Sequence, residues 1–161
     1  MVIVSDTSII TNLIQVDHLE FLQDIFGEIV IPAQVFEELS KVPGQLEIIE
    51  NTEWIEVKTI ANEKQLEELT VVLDPGEAEA IALALELKAD ALLIDEKKCR
   101  KIAQKYGIVV TGLLGILISA KEENLIPEIK PILDKLIFEI GFRISPKLYQ
   151  QILEKVDEAG S

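Results

Sequence analysis

Residues 2–8 read VIVSDTS, and this stretch decides the fold that the rest of the sequence repeats. Val2 to Ser5 is a β-branched run of the kind that favours a strand. Asp6, Thr7 and Ser8 carry side chains that cap helices, and the apolar stretch Ile9 to Ile14 follows them. The segment therefore predicts a strand, a tight turn and a helix, with an acid at the end of the strand.

The same order of strand and helix returns along the chain. Further strands are predicted at residues 28–31, 54–57, 91–94 and 108–110, the second at a sheet edge and the last two buried. Helices are predicted at 18–26, 33–40 with Pro32 at the start, 63–72, 78–88, 97–106 and 113–123, and Pro43-Gly44 marks a loop. Two last helices, 127–140 and 146–158, predict a C-terminal helical hairpin. The expected fold class is α/β, with a mainly parallel sheet covered on both faces by helices.

Length and composition are those of one ordinary domain, with 161 residues and 48% hydrophobic residues. We expect a single domain over residues 1–161, with a core at 1–124 and a helical extension at 125–161. No long uncharged apolar run and no basic start of a signal peptide occur, so a soluble, cytoplasmic protein without membrane contact is expected. Cys99 and His18 are alone of their types. Classical zinc sites are thereby excluded, and carboxylates remain as the candidate chemical groups.

The formal net charge of −14 argues against nucleic-acid binding, because affinity for phosphates normally comes from clustered Lys and Arg. Acids that converge on divalent cations would reconcile the two, since the cations reverse the local charge. Positive charge is concentrated in the predicted helix 97–106, which carries four lysines and Arg100. That helix is either a phosphate-guiding face or a surface helix with solvated lysines, and the sequence leaves both interpretations open.

Several acids are predicted to gather at one edge of the sheet, since ligands bind beyond the carboxyl ends of parallel strands where the strand order reverses. Asp6 and Asp95 each follow a strand, although for an isolated acid the interpretation as a helix N-cap is favoured. Glu77 has the same ambiguity, because residues 74–77 (DPGE) fit a capping box. Glu79 lies about 200° further round that helix and is expected to face solvent.

The adjacent acids Glu37 and Glu38 lie about 100° apart on their helix. Their flanking residues do not decide which of them faces the sheet edge. The recurrence of acids, rather than any single one, predicts a carboxylate cluster.

Five segments carry these acids in a typical order: IVSDTS at 3–8, IPAQVFEEL at 31–39, GEAEAIALA at 76–84, LLIDE at 92–96 and VTG at 110–112. In these segments the chain resembles the PIN-domain family, and more particularly the prokaryotic PIN-like proteins related to the VapC-type toxins. The likeness spans roughly residues 2–121. It implies a PIN-like, three-layer α/β/α fold that is Rossmann-like.

The resemblance also implies the site, in which the catalytic residues and metal ligands are Asp6, Glu38, Glu77 and Asp95, with Ser8 and Thr111 as polar helpers. Two positions depart from the family pattern. Glu77 stands where many members carry Asp, and Asp95 is followed by Glu96 where Arg is more familiar, so a fifth acid stays open. The expected cofactor is Mg²⁺ or Mn²⁺, because these hard cations prefer oxygen ligands.

The expected function is that of a metal-dependent ribonuclease that hydrolyses phosphodiester bonds, as the toxin of a toxin–antitoxin pair. The expected partners are an RNA substrate, an antitoxin protein and a second copy in a homodimer. The alternative is a catalytically inactive PIN scaffold that binds a protein through apolar helix faces such as those of 13–26 and 127–142. A receiver-like or nucleotide-binding protein is disfavoured, because no Gly-rich phosphate loop follows the first strand.

Overall fold

The sheet has five parallel strands in a computed structural model that describes residues 1–159. The strands are β1 (Ile3–Ser5), β2 (Ile29–Pro32), β3 (Ile55–Lys58), β4 (Ala91–Leu93) and β5 (Val110–Thr111). Their order across the sheet is β3-β2-β1-β4-β5. The chain moves outward from β1 to β3, then returns to the other side of β1, so the strand order reverses between β1 and β4.

The helices connect and cover these strands. They are α1 (Thr7–Gln15), α2 (Glu20–Phe26), α3 (Ala33–Ser40), α4 (Gln45–Glu50), α5 (Glu63–Thr70), α6 (Pro75–Leu87), α7 (Lys97–Lys105), α8 (Leu113–Glu122), α9 (Lys130–Lys135) and α10 (Pro146–Lys155). A π-helical turn, Leu136–Ile140, continues α9.

Alternation along the strands divides the core into two layers. In β1, Ile3 packs into one core and Val4 into the other, and Leu93 and Leu92 of β4 do the same. The first core includes α1, α2, α8 and the C-terminal helices, and the second includes α5, α6 and α7. Neighbouring strand residues point to opposite sides of the sheet, so both faces are apolar and both are covered by helices. The predicted three-layer α/β/α fold with a parallel sheet is confirmed.

The carboxyl ends of β1 and β4 meet in register. Ser5 pairs with Leu93, and the Asp6 N–H donates to the Leu93 carbonyl oxygen over 3.0 Å. On the other side of β4, the Ile94 N–H donates to the Thr111 carbonyl oxygen, also over 3.0 Å. The segments that leave β1, β4 and β5 therefore start side by side at one edge of the sheet.

The prediction of a buried strand at residues 108–110 is wrong both in the extent of the strand and in its burial. The strand β5 has two residues, and Val109 just before it is 62% exposed. Because β5 ends the strand order, no further strand covers its outer side. A short apolar run does not by itself distinguish a central strand from an edge strand. The edge position predicted for residues 54–57 is confirmed, since β3 lies at the other end of the sheet.

Three other boundaries differ from their predictions. Pro32 is the last residue of β2 and the N-cap of α3, not the first helical residue. The loop marked by Pro43-Gly44 leads directly into α4, after Gly44 at φ +83°. The first helix of the C-terminal pair begins at Lys130 rather than at 127.

The C-terminal helices are part of the first core. Leu133 and Leu136 are fully buried there, and Ile152 and Leu153 of α10 join them. Residues 141–145 form the connection, which begins at Gly141 with φ +88°. Within residues 1–159, no helix is long and apolar enough to cross a membrane.

Candidate functional site

Asp6 is the buried acid at the centre of the site. It occupies the N-cap position of α1, makes no capping hydrogen bond to that helix, and is only 6% exposed. Burial raises the pKa of Asp6 to about 6, and the N–H of Thr7 offsets only part of this rise. Three negative charges raise the same pKa further, those of Glu38, Asp95 and Asp74. Acids from three other segments of the chain therefore lie near enough to act on Asp6.

On α3, Glu38 faces Asp6 and Glu37 faces solvent. Glu38 accepts a hydrogen bond from Thr7 Oγ1 over 2.5 Å and a longer one from Gln34 Nε2 over 3.5 Å. The Glu37 side chain is 59% exposed and pairs with Lys41 over 3.5 Å. The choice that the sequence left open between the two acids is thus decided by how α3 packs.

Glu77 caps its own helix and also belongs to the acid cluster. Its Oε1 accepts a hydrogen bond from the Asp74 N–H over 3.4 Å, as in the capping box predicted from residues 74–77. Burial raises the pKa of Glu77 to about 7, and the charge of Asp6 adds to the rise. The capping role of Glu77 therefore does not take its carboxylate away from the acid cluster, and its catalytic role stays a prediction.

Glu79 does not face solvent, and this prediction is wrong. It is half-buried, and its Oε1 accepts a hydrogen bond from the Gln34 N–H over 3.1 Å. Gln34 lies in the first turn of α3, whose N-cap Pro32 has no side-chain acceptor to offer. Glu79 supplies that acceptor from α6, a helix remote in sequence.

Asp95 is not the N-cap of the helix that follows it. That position belongs to Glu96, whose carboxylate accepts a hydrogen bond from the Cys99 N–H over 2.7 Å. Asp95 Oδ1 instead accepts from the Leu113 N–H at the start of α8, over 2.9 Å. Its Oδ2 is buried and has no hydrogen-bond partner among the described residues. Burial raises the pKa of Asp95, although Leu113 and the positive charge of Arg100 both oppose this.

Two glycines allow these carboxylates to approach backbone closely. A Cβ atom at Gly76 would lie 2.8 Å from Glu38 Oε2 and 2.9 Å from its Cδ. A Cβ atom at Gly112 would lie 2.6 Å from Asp95 Oδ1 and 3.2 Å from Arg100 Nη1. Real Cβ atoms essentially never approach a neighbour within 3.0 Å, so a larger residue at either glycine would displace the acid.

The two polar helpers named from the resemblance lie beside Asp95, on different sides. Ser8 lines one cavity of about 570 Å³, and Thr111 lines a second cavity of about 570 Å³. Asp95 and Arg100 line both cavities. The structure therefore brings Ser8 and Thr111 next to Asp95, and it makes Arg100 a shared wall between them.

The donor atoms of the cluster suit a hard divalent cation. All are carboxylate oxygens, and Asp95 Oδ2 lacks the partner that a buried oxygen normally has. Cys99 is no competing ligand, because burial raises the pKa of its thiol far above the usual value and neighbouring acids add to this. Within residues 1–159, no three acidic, His or Cys side chains already form a metal cage. The carboxylates would therefore have to move closer together to bind a cation.

A family model described as a PIN domain matches residues 2–158. The chain belongs to the PIN-domain family. Members of this family are typically nucleases and generally use divalent metal ions. Among curated proteins, none matches this PIN domain.

A solved structure has a similar fold. It is a PilT N-terminus domain protein from the hyperthermophilic archaeon Sulfolobus solfataricus P2, with a TM-score of 0.57 and 19% sequence identity. The match covers 74% of this PIN domain and 93% of the archaeal chain. At this identity the likeness supports the fold.

The sequence did not reveal the roles of four residues in the site of this PIN domain. Asp74 acts on the charge of Asp6 as well as serving as N-cap, and Arg100 lies beside Asp95. Gly76 and Gly112 were quoted within motifs without a role. The sequence did contain an indication of their role, because each glycine lies at the start of a helix that carries or contacts one of the acids.

Proposed function

We propose that this PIN domain is a metal-dependent endoribonuclease that hydrolyses phosphodiester bonds at the acid cluster around Asp6. The observation that carries the proposal is a buried Asp6 surrounded by acids from α3, α6 and the end of β4. Gathered carboxylates repel one another and lose hydration, and a divalent cation relieves both costs. Because, within the described part of the chain, the only charges that act on Asp6 and Glu77 are those of other acids, the cluster is best explained as a metal site.

Asp6 and Asp95 are the proposed direct ligands of Mg²⁺ or Mn²⁺, and Glu38 and Glu77 complete the set directly or through water. A cation bound there supplies Lewis-acid activation of water and of the phosphate. The chain itself orients the ligands. Leu113 holds Oδ1 of Asp95 and so leaves Oδ2 as its free oxygen, while Thr7 holds Glu38 near Asp6.

RNA is the proposed substrate. The lysine-rich helix α7 and α5 enclose a cavity of about 900 Å³, which is lined by Lys97, Lys98, Lys101 and Lys105 together with Glu96. Glu96 follows Asp95 directly, so this positive surface adjoins the acid cluster. It offers a path for a polyanion in a chain whose net charge of −14 otherwise repels one. The toxin role, the antitoxin partner and the homodimer stay predictions.

The test is a cleavage assay on labelled single-stranded and hairpin RNA with millimolar Mn²⁺. We expect Asp6→Asn and Glu38→Gln each to reduce cleavage by more than about a hundredfold, the upper range for losing even an outer-shell partner. Glu37→Gln is the matched control, because it removes the adjacent but solvent-facing acid and should leave the rate unchanged. Cleavage that survives Asp6→Asn, or no cleavage by the wild type, would reject the proposal and favour a non-catalytic PIN scaffold.

Metal binding is tested separately by thermal unfolding. Mn²⁺ should raise the melting temperature of the wild type, since a ligand that binds only the folded state stabilises it. Asp6→Asn should remove most of that rise, and Glu37→Gln should keep it. Equal rises in the wild type and Asp6→Asn would place the cation elsewhere.

A further inference from the structure

The chain has two arginines, Arg100 and Arg143, and all its other basic residues except His18 are lysines. These two arginines, 43 positions apart, line the same cavity of about 570 Å³. Arg100 comes from α7 and Arg143 from the connection before α10. Arginine presents a planar set of donors that matches phosphate oxygens, whereas lysine acts as a point charge. A cavity lined by both arginines is therefore suited to bind an oxyanion such as a carboxylate or a phosphate.

The cavity borders the acid cluster. Asp95 and Glu96 line it, and the positive charge of Arg100 acts on Asp95. Polar side chains from α1, those of Ser8 and Asn12, also line it. The cavity thus combines one proposed metal ligand, Asp95, with two guanidinium groups and two hydrogen-bonding side chains.

Among the described residues neither guanidinium forms an ion pair, although the charge of Arg100 acts on Asp95. Within residues 1–159, the ion pairs shorter than 4.0 Å are formed by lysines and by His18. Arg143 is exposed and Arg100 half-buried. Both groups are free to bind a ligand that enters the cavity from solvent.

We propose that this cavity binds a phosphodiester group of the substrate strand, with Arg100 and Arg143 as its ligands, next to the bond that the acid cluster cleaves. The proposal rests on the proposed nuclease function and adds a binding site to it. Arg143 reaches the cavity because the C-terminal helices pack onto the core. The site therefore combines residues from α1, α7 and the connection before α10. In this arrangement Arg143 is a binding residue that fixes the position of the strand, and Arg100 also lies against the acid that holds the metal.

The experiment measures binding without cleavage. A fluorescein-labelled single-stranded oligoribonucleotide is titrated in EDTA with the full chain carrying Asp6→Asn, and anisotropy gives the Kd. Adding Arg143→Ala should weaken binding about tenfold, the effect of losing one charged hydrogen-bonding group. Lys147→Ala is the matched control, since it removes one positive charge four residues away from a side chain that is exposed and outside the cavity. It should change Kd less than twofold.

Two further readouts identify the contact as one to phosphate. The slope of log K against log salt is negative, and Arg143→Ala should make it less steep by about 0.7, the value for one phosphate of a single strand. Arg143→Lys should keep the slope and still lose affinity, because it retains the charge and loses the planar donors. A DNA strand of the same sequence should show the same losses, since a phosphate contact does not read the 2′-hydroxyl.

The outcomes separate this inference from the proposed function. Equal effects of Arg143→Ala and Lys147→Ala, an unchanged salt slope, or no oligonucleotide binding by the Asp6→Asn chain would overturn the phosphate site. A loss confined to RNA would also overturn it, because it would indicate a contact to the 2′-hydroxyl. If the wild type cleaves no RNA but binding still depends on Arg143, the phosphate site stands and the nuclease proposal fails.

Discussion

The acid cluster around Asp6 and a single buried carboxylate near the C-terminus, that of Glu158, have opposite surroundings. In the acid cluster, Asp6 is 6% exposed and its nearest charges are other carboxylates. At the C-terminus, Glu158 has a side chain that is 7% exposed, but Lys121 pairs with it over 2.9 Å. Glu158 also accepts hydrogen bonds from the Ile129 and Lys130 N–H groups, over 2.8 and 2.9 Å. We call Lys121, Ile129, Lys130 and Glu158 the C-terminal clamp.

The pKa values differ accordingly. Burial alone would raise the pKa of Glu158, yet the Ile129 N–H, Lys121 and the Lys130 N–H together hold it below the usual value. The pKa values of Asp6 and Glu77 are raised to about 6 and about 7. The clamp therefore stabilises the folded chain with ionised carboxylate, whereas the acid cluster costs stability whenever it is ionised without metal. Such a cost is characteristic of a functional site rather than of a structural one.

The largest expected effect comes from breaking the clamp. Glu158→Ala should lower the free energy of unfolding by about 3 kcal/mol, because it leaves Lys121 unpaired and two backbone N–H groups at the start of α9 without acceptors. Urea unfolding measures the change. Glu154→Ala, at an exposed position of α10, is the control and should stay within about 0.5 kcal/mol. Equal values for the two variants would mean that Glu158 is not a structural anchor.

The second effect has the opposite sign. In metal-free protein at pH 8, Asp6→Asn should raise the free energy of unfolding by about 2 kcal/mol, because it removes a buried charge whose pKa lies about two units above that of an exposed Asp. The same substitution should abolish cleavage. Asp24→Asn, on an exposed position of α2, should leave both quantities unchanged. A destabilised Asp6→Asn chain would contradict the interpretation of Asp6 as an unpaired buried acid.

The third effect is a pH dependence. Between about pH 4 and 6 the unfolded chain has released the Asp6 proton and the folded chain retains it. The free energy of unfolding in EDTA should therefore fall by about 1 kcal/mol for each unit by which the pH rises. Glu77 extends the decline towards pH 7. The contribution of Glu158 is complete above its unfolded pKa of 4.5 and is lost at lower pH, so it opposes this decline only at the acid end of the window. Guanidinium unfolding at each pH should give a shallower decline for Asp6→Asn; an equal decline would assign it to other groups.

The smallest expected effect on stability comes from Gly76→Ala. Alanine favours the helix by up to about 1 kcal/mol, so the chain should fold at least as well. The new methyl group displaces the Glu38 carboxylate, and cleavage should fall about tenfold. Adding Glu38→Asp, which shortens the acid by one methylene, should restore part of the activity. Full activity in Gly76→Ala alone would show that the position of Glu38 is not critical.

The fold was predictable because local patterns carried it. The β-branched runs before Asp6 and Asp95 and the alternation of strand and helix gave the three layers and the edge position of β3 correctly. The burial of residues 108–110 was not predictable, since an apolar run looks alike at the centre and at the edge of a sheet. Glu79 was misassigned because its partner, the first turn of α3, belongs to a distant segment.

By itself, the sequence determined which chemistry is available: carboxylates at strand ends, a single cysteine and histidine, and glycines at two helix starts. The tertiary structure alone decided which acids meet, that Glu38 rather than Glu37 turns to Asp6, that Asp95 binds α8, and that the two arginines share a cavity. The physical reason is that residue type and period act within one element, whereas burial, charge interaction and hydrogen bonding depend on the packing of elements far apart in the chain.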